Sequence, residues 1–538
     1  MTDLEIPLEK DRHFRYRCFE ILPGAISYCL FFTPLILSFI NITIAAFFVI
    51  GYLLIYFVRS IGVDIRALQG FKTMALYKKL HWDQLLRELG EQQIDETVNI
   101  TRPAWHYKNI ERLKQNPTPV SDPDDIINVA MIATYNESYE VLELTLNSIL
   151  KANYDHKKII LVIAYEERGG EAIENNVNRL IDESRGKFLH TMAVKHPMDI
   201  PNEMIGKGGN ITYAGRALQH YLEEQNIDPI RVIVTTLDAD NHPHKWYFSV
   251  LSYVYCLCQD PTKISFQPIP VYTNNIWDAP APMRVIATGN TFWNLVLTLR
   301  PHMLRNFSSH AQSMQTLIDT DFWSVRTCVE DGHQFWRTYF RYDGNHKVYP
   351  LYIPIFQDAV LGRTYLKTLK AQFIQLRRWT WGASDVAYVL EKGFFTPNKV
   401  PRKDLIVKLA RLLESHVTWA VAPPLLLFAG FIPALVRPQS YTANVLPLII
   451  SRVQDVALVG VLALIFICFK TLPPKPKRYK ARRYFLMLIQ WVLMPVTSLV
   501  YNSLAAFYSQ TRLIFGNYVG KFDVTEKVIV TEDKQTIH

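Results

Sequence analysis

Apolar and polar positions fall into three regimes along this 538-residue chain. Residues 21–57, about 37 in all, carry no Asp, Glu, Lys or Arg, enough for two short membrane passes joined near Asn41. Near the C-terminus, segments 417–436, 444–469 and 485–507 repeat the pattern. Arg452 and Asp455 make the middle one the weakest, because a charge inside the bilayer is costly unless it pairs or sits at the interface. Met494 and Pro495 break the last one and suggest a re-entrant hairpin. Between the ends, residues 100–391 alternate short apolar runs with stretches of helical spacing. NVAMIAT (128–134), KIILVIA (158–164), a run near 188–194 and RVIVTTL (231–237) predict strands; 141–152, 171–184 and 211–223 predict helices. Such alternation predicts an α/β domain with a largely parallel sheet and its ligand site at the carboxyl ends of the strands.

These patterns divide the chain into an N-terminal segment (1–20), two membrane helices (21–58), an interfacial or linker stretch (59–99) and the α/β domain (100–362). Interfacial helices (363–412), about three C-terminal membrane helices (413–510) and a tail (511–538) follow. The apolar N-terminal span is too long for a cleavable signal peptide. The net charge of +9 follows the span ends. Lys10, Arg12, Arg15 and Arg17 precede the first, Arg59 follows the second, and seven Lys or Arg lie between Lys470 and Arg483. This places the N-terminus, the α/β domain and the 470–483 loop in the cytoplasm, and it argues against a nucleic-acid partner. Arg512, Lys521 and Lys527 argue for a cytosolic tail, which five crossings would not give. Six cysteines form no CxxC pair and read as reduced thiols.

The strand ends carry the candidate chemistry. The first strand runs into TYNES (134–138) and the fourth into DADNH (238–242). Asp238 and Asp240 at a strand tip suit a hard divalent cation holding a diphosphate, although an acidic turn is the plain alternative. Lys207, in the GKGGN of 206–210, opens a helix where a phosphate meets its N-terminus. In CVEDGHQFW (328–336), Glu330 and Asp331 read equally as helix-start acids or as a general base with its neighbour. QLRRWTWG (375–382) sets two arginines and two tryptophans close before a membrane segment.

Taken together, TYNE at 134–137, DAD at 238–240, VED at 329–331 and QLRRW at 375–379 resemble the membrane-embedded family 2 glycosyltransferases. That group includes cellulose, chitin and hyaluronan synthases and ceramide glucosyltransferase, and QLRRW fits its Q-x-x-R-W pattern. The resemblance spans about 250 residues. It implies a GT-A fold flanked by membrane helices and an inverting transfer from a UDP- or GDP-type sugar with Mg²⁺ or Mn²⁺. Asp238 and Asp240 would hold the metal. Tyr135, Glu137, Lys207, Asp238, Gln375 and Arg378 would face the nucleotide sugar, Asp331 would be the base with Glu330 in support, and Trp379 would pack on the acceptor sugar.

The chain departs from the family at the second strand, where VIAYEERGG (162–170) has Glu166 or Glu167 in place of an aspartate that helps hold the nucleobase. The polar stretch NFSSHAQSMQ (306–315), with His310, lies where the family contacts its acceptor. His242, His244 and His333 read as structural, with His242 as a minor candidate beside the metal. The leading expectation is a polysaccharide-type synthase in the plasma (inner) membrane if bacterial, its partners a glycan or lipid-linked acceptor and membrane lipids. The alternatives are transfer of one sugar to a lipid and an inactive nucleotide- or glycan-sensing protein; a transporter is disfavoured by the absence of an inverted repeat.

Overall fold

The computed structural model describes residues 4–519. Eight strands form one mixed sheet: β1 (Ile127–Thr134), β2 (Ile159–Glu166), β3 (His190–His196), β4 (Val232–Asp238), β5 (His242–Pro243), β6 (Ile264–Tyr272), β7 (Ala311–Ser313) and β8 (Lys347–Gln357). Their order is β3-β2-β1-β4-β7-β6-β8-β5. The first four are parallel, as the alternation predicts, and β7 runs antiparallel between β4 and β6. β2 shows why its sequence is apolar throughout. Ile159, Leu161, Ile163 and Tyr165 pack into one core layer and Ile160, Val162 and Ala164 into the other, so both faces are covered. The expected strand at 188–194 lies two residues later.

Register brings the motifs together. Ala133 pairs with Asp238, and Thr134 with Tyr165, so the turns after β1, β2 and β4 open at one edge of the sheet. Asn210 pins that edge, its Nδ2 donating to Thr134 O (3.3 Å) and Ala164 O (3.0 Å).

Four helical stretches are long and apolar enough to cross a membrane: Phe14–Ile40, Ile42–Tyr77, Tyr441–Thr471 and Arg482–Phe515. The expected joint at Asn41 is a helix cap, its side chain accepting from Thr43 N and Ile44 N. The second helix continues to Tyr77, past the expected boundary at 58, so the segment 59–99 begins as its extension. Segment 417–436 is divided between Arg402–Phe428 and Ile432–Val436. The segment read as weakest, by contrast, is one 31-residue helix whose Arg452 and Asp455 face each other at 3.8 Å, one turn apart.

Arg482–Phe515 is continuously helical, through 3₁₀ and π turns at Gln490–Leu493 and Ser498–Ser503, so no hairpin turn interrupts it. Both its ends nevertheless meet the α/β domain or the helix that follows it. Arg483 Nη2 donates to Trp277 O (2.7 Å), Thr380 Oγ1 to Ala505 O (3.1 Å), and Leu513 packs with Trp381 and Cys328. Lys521 and Lys527 lie outside the described residues.

Segment 78–116 is fixed to the domain by a buried polar knot. Glu88 receives Arg102 Nη2 at 2.6 Å and His106 Nε2 at 2.9 Å, while His106 Nδ1 contacts Tyr253 OH at 2.8 Å. Burial raises the Glu88 pKa, but bonds from Arg102, Gln84 and His106 outweigh it and bring the carboxyl from 4.5 to about 2. A depressed carboxyl stabilises the fold above its ordinary pKa and loses that contribution as pH falls through the folded value. Glu88→Gln, which strands Arg102, is expected to cost about 3 kcal/mol at pH 7 and to flatten the stability profile between about pH 4.5 and 2, measured by chemical denaturation.

Candidate active site

The GKGGN loop supplies the centre. Gly206 caps the helix Lys207–Glu224, so Lys207 stands at its first position. The next residue has to be glycine, because a Cβ on Gly208 would lie 2.3 Å from Ser324 O. That close approach sets the loop against the Glu330 helix (Glu330–Arg341). The Lys207 ammonium lies 2.9 Å from Asp238 Oδ1, 3.4 Å from Asp331 Oδ2 and 3.8 Å from Glu330 Oε1. Burial lowers its pKa, but the charges of Asp238, Asp331 and Glu330 more than offset this and hold it above the ordinary lysine value.

Glu330 is only 3% exposed. Burial first, then the Asp331 charge, raise its pKa above the ordinary carboxylate range, against the pull of Lys207 and Arg378. The QLRRW helix (Tyr365–Thr380) thereby brings Arg378 within electrostatic reach of the acids, and the Cys328 thiol feels the same guanidinium. His310 Nδ1 is 3.5 Å from Asp331 Oδ1. Trp323 Nε1 donates to His310 Nε2 (3.2 Å), which leaves Nδ1 to donate to Phe307 O (2.9 Å). Expected near an acceptor, His310 is thus buried with both nitrogens engaged, directly behind Asp331.

Asp240 sits beside this cluster, its Oδ2 accepting from Asp358 N (3.3 Å) and its carbonyl from Asn274 Nδ2 (3.0 Å). Trp379 stacks at an angle on Tyr272, ring centroids 6.4 Å apart. Burial raises the pKa of the Tyr272 hydroxyl, and the charges of Asp238 and Asp240 add to it. Tyr272 therefore links the tryptophan to the acidic pair. Sequence reasoning missed it, although it closes an apolar run, ISFQPIPVY, whose end is a strand tip like the others.

A second cluster caps β2 and β3. Glu166 Oε2 pairs with Arg168 Nη2 (2.8 Å) and His196 Nδ1 (3.2 Å), and His196 Nε2 with Glu203 Oε2 (3.0 Å). Burial lowers the His196 pKa, but the two carboxylates raise it to about 9, so the ring is cationic at neutral pH. Arg168 lies over the Tyr135 ring at 5.3 Å. Glu137 is turned inward on its own loop, accepting from Thr134 Oγ1 (2.6 Å), Tyr135 N (2.8 Å) and Asn136 N (3.2 Å). Gln375 Oε1 accepts from Gln372 Nε2 (3.0 Å), one turn back on its own helix. His333 Nδ1 bonds Asp385 Oδ1 (2.7 Å) and its ring meets Tyr388, away from the acids.

Among the described residues no three His, Cys, Asp or Glu side chains form a metal cage. The donor set nevertheless fits a hard divalent ion. Asp238 and Asp240 are both oxygen ligands, Asp238 already attracts one cation, the Lys207 ammonium, and Mg²⁺ is commonly held by one or two carboxylates with substrate phosphates and water.

No protein-family model matches the chain, and no curated protein sequence matches it. Among solved structures it is similar to the mannosyltransferase PcManGT from Pyrobaculum calidifontis in complex with GDP-Man and Mn²⁺, at 14% identity and TM-score 0.36 over 82% of this chain and 98% of that one. It is also similar to S. aureus TarS 1-349 in complex with UDP-GlcNAc, at 11% identity and TM-score 0.36 over 73% and 93%. GalNAc-T7 with UDP, GalNAc and Mn²⁺ gives 12% identity and TM-score 0.31 over 54% and 58%.

Proposed function

We propose that the chain is an inverting membrane glycosyltransferase that moves a sugar from a UDP- or GDP-sugar to a growing glycan. The observation that carries this reading is Lys207. Its ammonium is held among Asp238, Glu330 and Asp331, acids from two motifs separated by about 90 residues, at the carboxyl edge of the sheet.

In this reading Asp331 takes the proton from the acceptor hydroxyl as its oxygen attacks the anomeric carbon. The bond from that carbon to the diphosphate breaks on the opposite face, and the diphosphate leaves with the electron pair. Lys207 and Arg378 stabilise the charge that develops on it. Asp238 and Asp240 would hold Mg²⁺ or Mn²⁺, which when bound supplies further stabilisation of the diphosphate. Tyr135, Glu137 and Glu166 line the nucleoside side, with Arg168 over the Tyr135 ring and His196 fixing Glu166. Gln375 orders the QLRRW helix through Gln372, and Trp379 with Tyr272 offers the acceptor sugar an apolar face. We place His310 behind Asp331, holding it in position.

For the membrane, four crossings fit the contacts: Phe14–Ile40, Ile42–Tyr77, Arg402–Phe428 and Tyr441–Thr471. Arg437 Nη2 donates to Phe39 O (3.0 Å), which puts the two distal turns on one side. The helix Arg482–Phe515, which meets the domain side at Arg483 and again at Ala505 and Leu513, then lies along the cytosolic face of the membrane, so the chain at Phe515 stays in the cytoplasm with the domain, in keeping with the basic residues.

The test is purified protein in nanodiscs with Mg²⁺ or Mn²⁺ and a panel of nucleotide sugars, following release of nucleoside diphosphate and sizing the product. Turnover with one donor is expected, and a high-mass product separates a synthase from a single-sugar lipid transferase. Nucleotide binding to no member of the panel overturns the reading. Asp240→Asn is expected to weaken Mg²⁺-dependent nucleotide binding about tenfold by calorimetry and to leave metal-free binding unchanged.

A further inference from the structure

A second group of donors lies apart from the acidic site, where the 470–483 loop meets the start of the helix Ala281–Thr298. Arg284 is 3% exposed. Its Nη1 donates to Ala279 O (2.6 Å) and its Nε to Gln490 Oε1 (2.6 Å). Arg483 converges on the same carbonyl, Nη2 lying 3.4 Å from Ala279 O and 2.7 Å from Trp277 O. Neither guanidinium forms an ion pair among the described residues. The nearby Asp278 is engaged by Arg478 (2.7 Å) and Tyr479 OH (2.6 Å).

The group therefore has two positive charges, neutral acceptors only, and donors to spare. Arginine can only donate, so Gln490 must present its oxygen to Arg284 and turn its amide nitrogen elsewhere. That nitrogen is buried without a partner, as is Arg483 Nε. Burial and the neighbouring Arg483 charge bring the Arg284 pKa down from 12.5 to about 10, the signature of a cation lacking its counter-ion. Burying a charge unpaired is costly, and the planar fork of arginine matches phosphate oxygens.

The surroundings identify the source of such an anion. Residues 470–483 hold seven Lys or Arg and no acid, directly after the helix Tyr441–Thr471, an arrangement suited to anionic headgroups. Immediately beyond, Phe485, Leu488 and Val492 are exposed apolar side chains, ready for acyl chains.

We propose that Arg284, Arg483 and Gln490 hold the phosphate of an anionic membrane lipid at the cytosolic surface. The site is independent of sugar transfer and rests only on the membrane placement given above. Bound there, the lipid ties the loop after Ala279 to the helix Arg482–Phe515. Because Tyr272 and Trp277 lie on the chain between the acidic site and Ala279, that tie fixes one wall of the crevice.

The experiment uses the full chain in detergent micelles doped with phosphatidylglycerol, phosphatidylcholine or inorganic phosphate, reading the unfolding midpoint by tryptophan fluorescence and the bound lipid by native mass spectrometry. Phosphatidylglycerol is expected to raise the midpoint saturably and to remain bound, while phosphatidylcholine does neither. Arg483→Gln is expected to raise the half-saturating lipid concentration about tenfold, the loss of one charge-assisted contact. Arg185→Gln, the same charge change on the exposed surface of the α/β domain, is expected to leave it unaltered. Equal effects of the two lipids, or an Arg483→Gln protein that binds like the parent, overturn the site. Stabilisation by inorganic phosphate that Arg483→Gln removes overturns the lipid as its source. Retention in the membrane pellet after a carbonate wash tests the membrane placement separately.

Discussion

Asp331→Asn is expected to lower turnover about 10³-fold while leaving donor affinity within about threefold, because general-base removal costs 10² to 10⁴ and the isosteric amide keeps the site's shape. Two carboxyl groups compete for the role, and their surroundings separate them. Glu330 is almost wholly enclosed, and burial together with the Asp331 charge raises its pKa, so it gives up its proton less readily than a base should. Asp331 is the more accessible of the two, 3.4 Å from the Lys207 ammonium, with His310 behind it. Its carboxylate is both open to an acceptor hydroxyl and held in place. Single-turnover release of nucleoside diphosphate measures the chemical step and calorimetry the donor affinity. Retention of more than a tenth of the turnover would reassign the base to Glu330.

Much of this was legible before any coordinates. β1, β2 and β4 were legible as nearly continuous apolar runs, because a parallel strand covered on both faces shows few polar positions, whereas β3 (HTMAVKH) lies at the sheet edge and is partly exposed. The order of the motifs pointed to the acids, which stand at a strand end or a helix start, and to QLRRW, which closes the helix Tyr365–Thr380. What was not legible was long-range. The convergence of Lys207 with Asp331 depends on a glycine that lets two loops touch, and no periodicity reports such an approach. Tyr272 went unnoticed because its partner Trp379 is about 100 residues away. The long apolar helices were found by composition, yet their packing was not. Arg452 and Asp455 counted against a helix that in fact pairs them, and only the contacts at Trp277 and Thr380 show that both parts of the final helix pack on the α/β side. Glu88, in a stretch read as a linker, belongs to a knot with residues 14 and 18 positions away, which no local pattern announces.

Lys207→Gln is expected to weaken donor binding about 10²-fold, the loss of a charge-assisted contact to the diphosphate in a desolvated site. It should also change the pH dependence in a direction that a merely structural defect would not. In the parent protein one cation offsets three acids. Removing it leaves Asp238, Glu330 and Asp331 with their mutual repulsion, so protons leave them at higher pH. The acid limb of the kcat/KM profile then moves upward, because the base has to be empty to act. The same change appears in stability. A carboxyl whose folded pKa is raised binds protons more tightly folded than unfolded, so stability falls as pH rises between its ordinary value and the folded one. For Glu330 that interval opens upward from 4.5 in the parent. Without Lys207 it extends further, and the gap in unfolding midpoint between parent and variant widens as pH rises above the ordinary glutamate range. Lys207→Arg keeps the charge and is expected to restore the pH profile even where its bulk lowers turnover. A Lys207→Gln protein with the parent's acid limb would show that the ammonium does not act on the acids at all, and the reading of this site as a charge-balanced diphosphate pocket would fall with it.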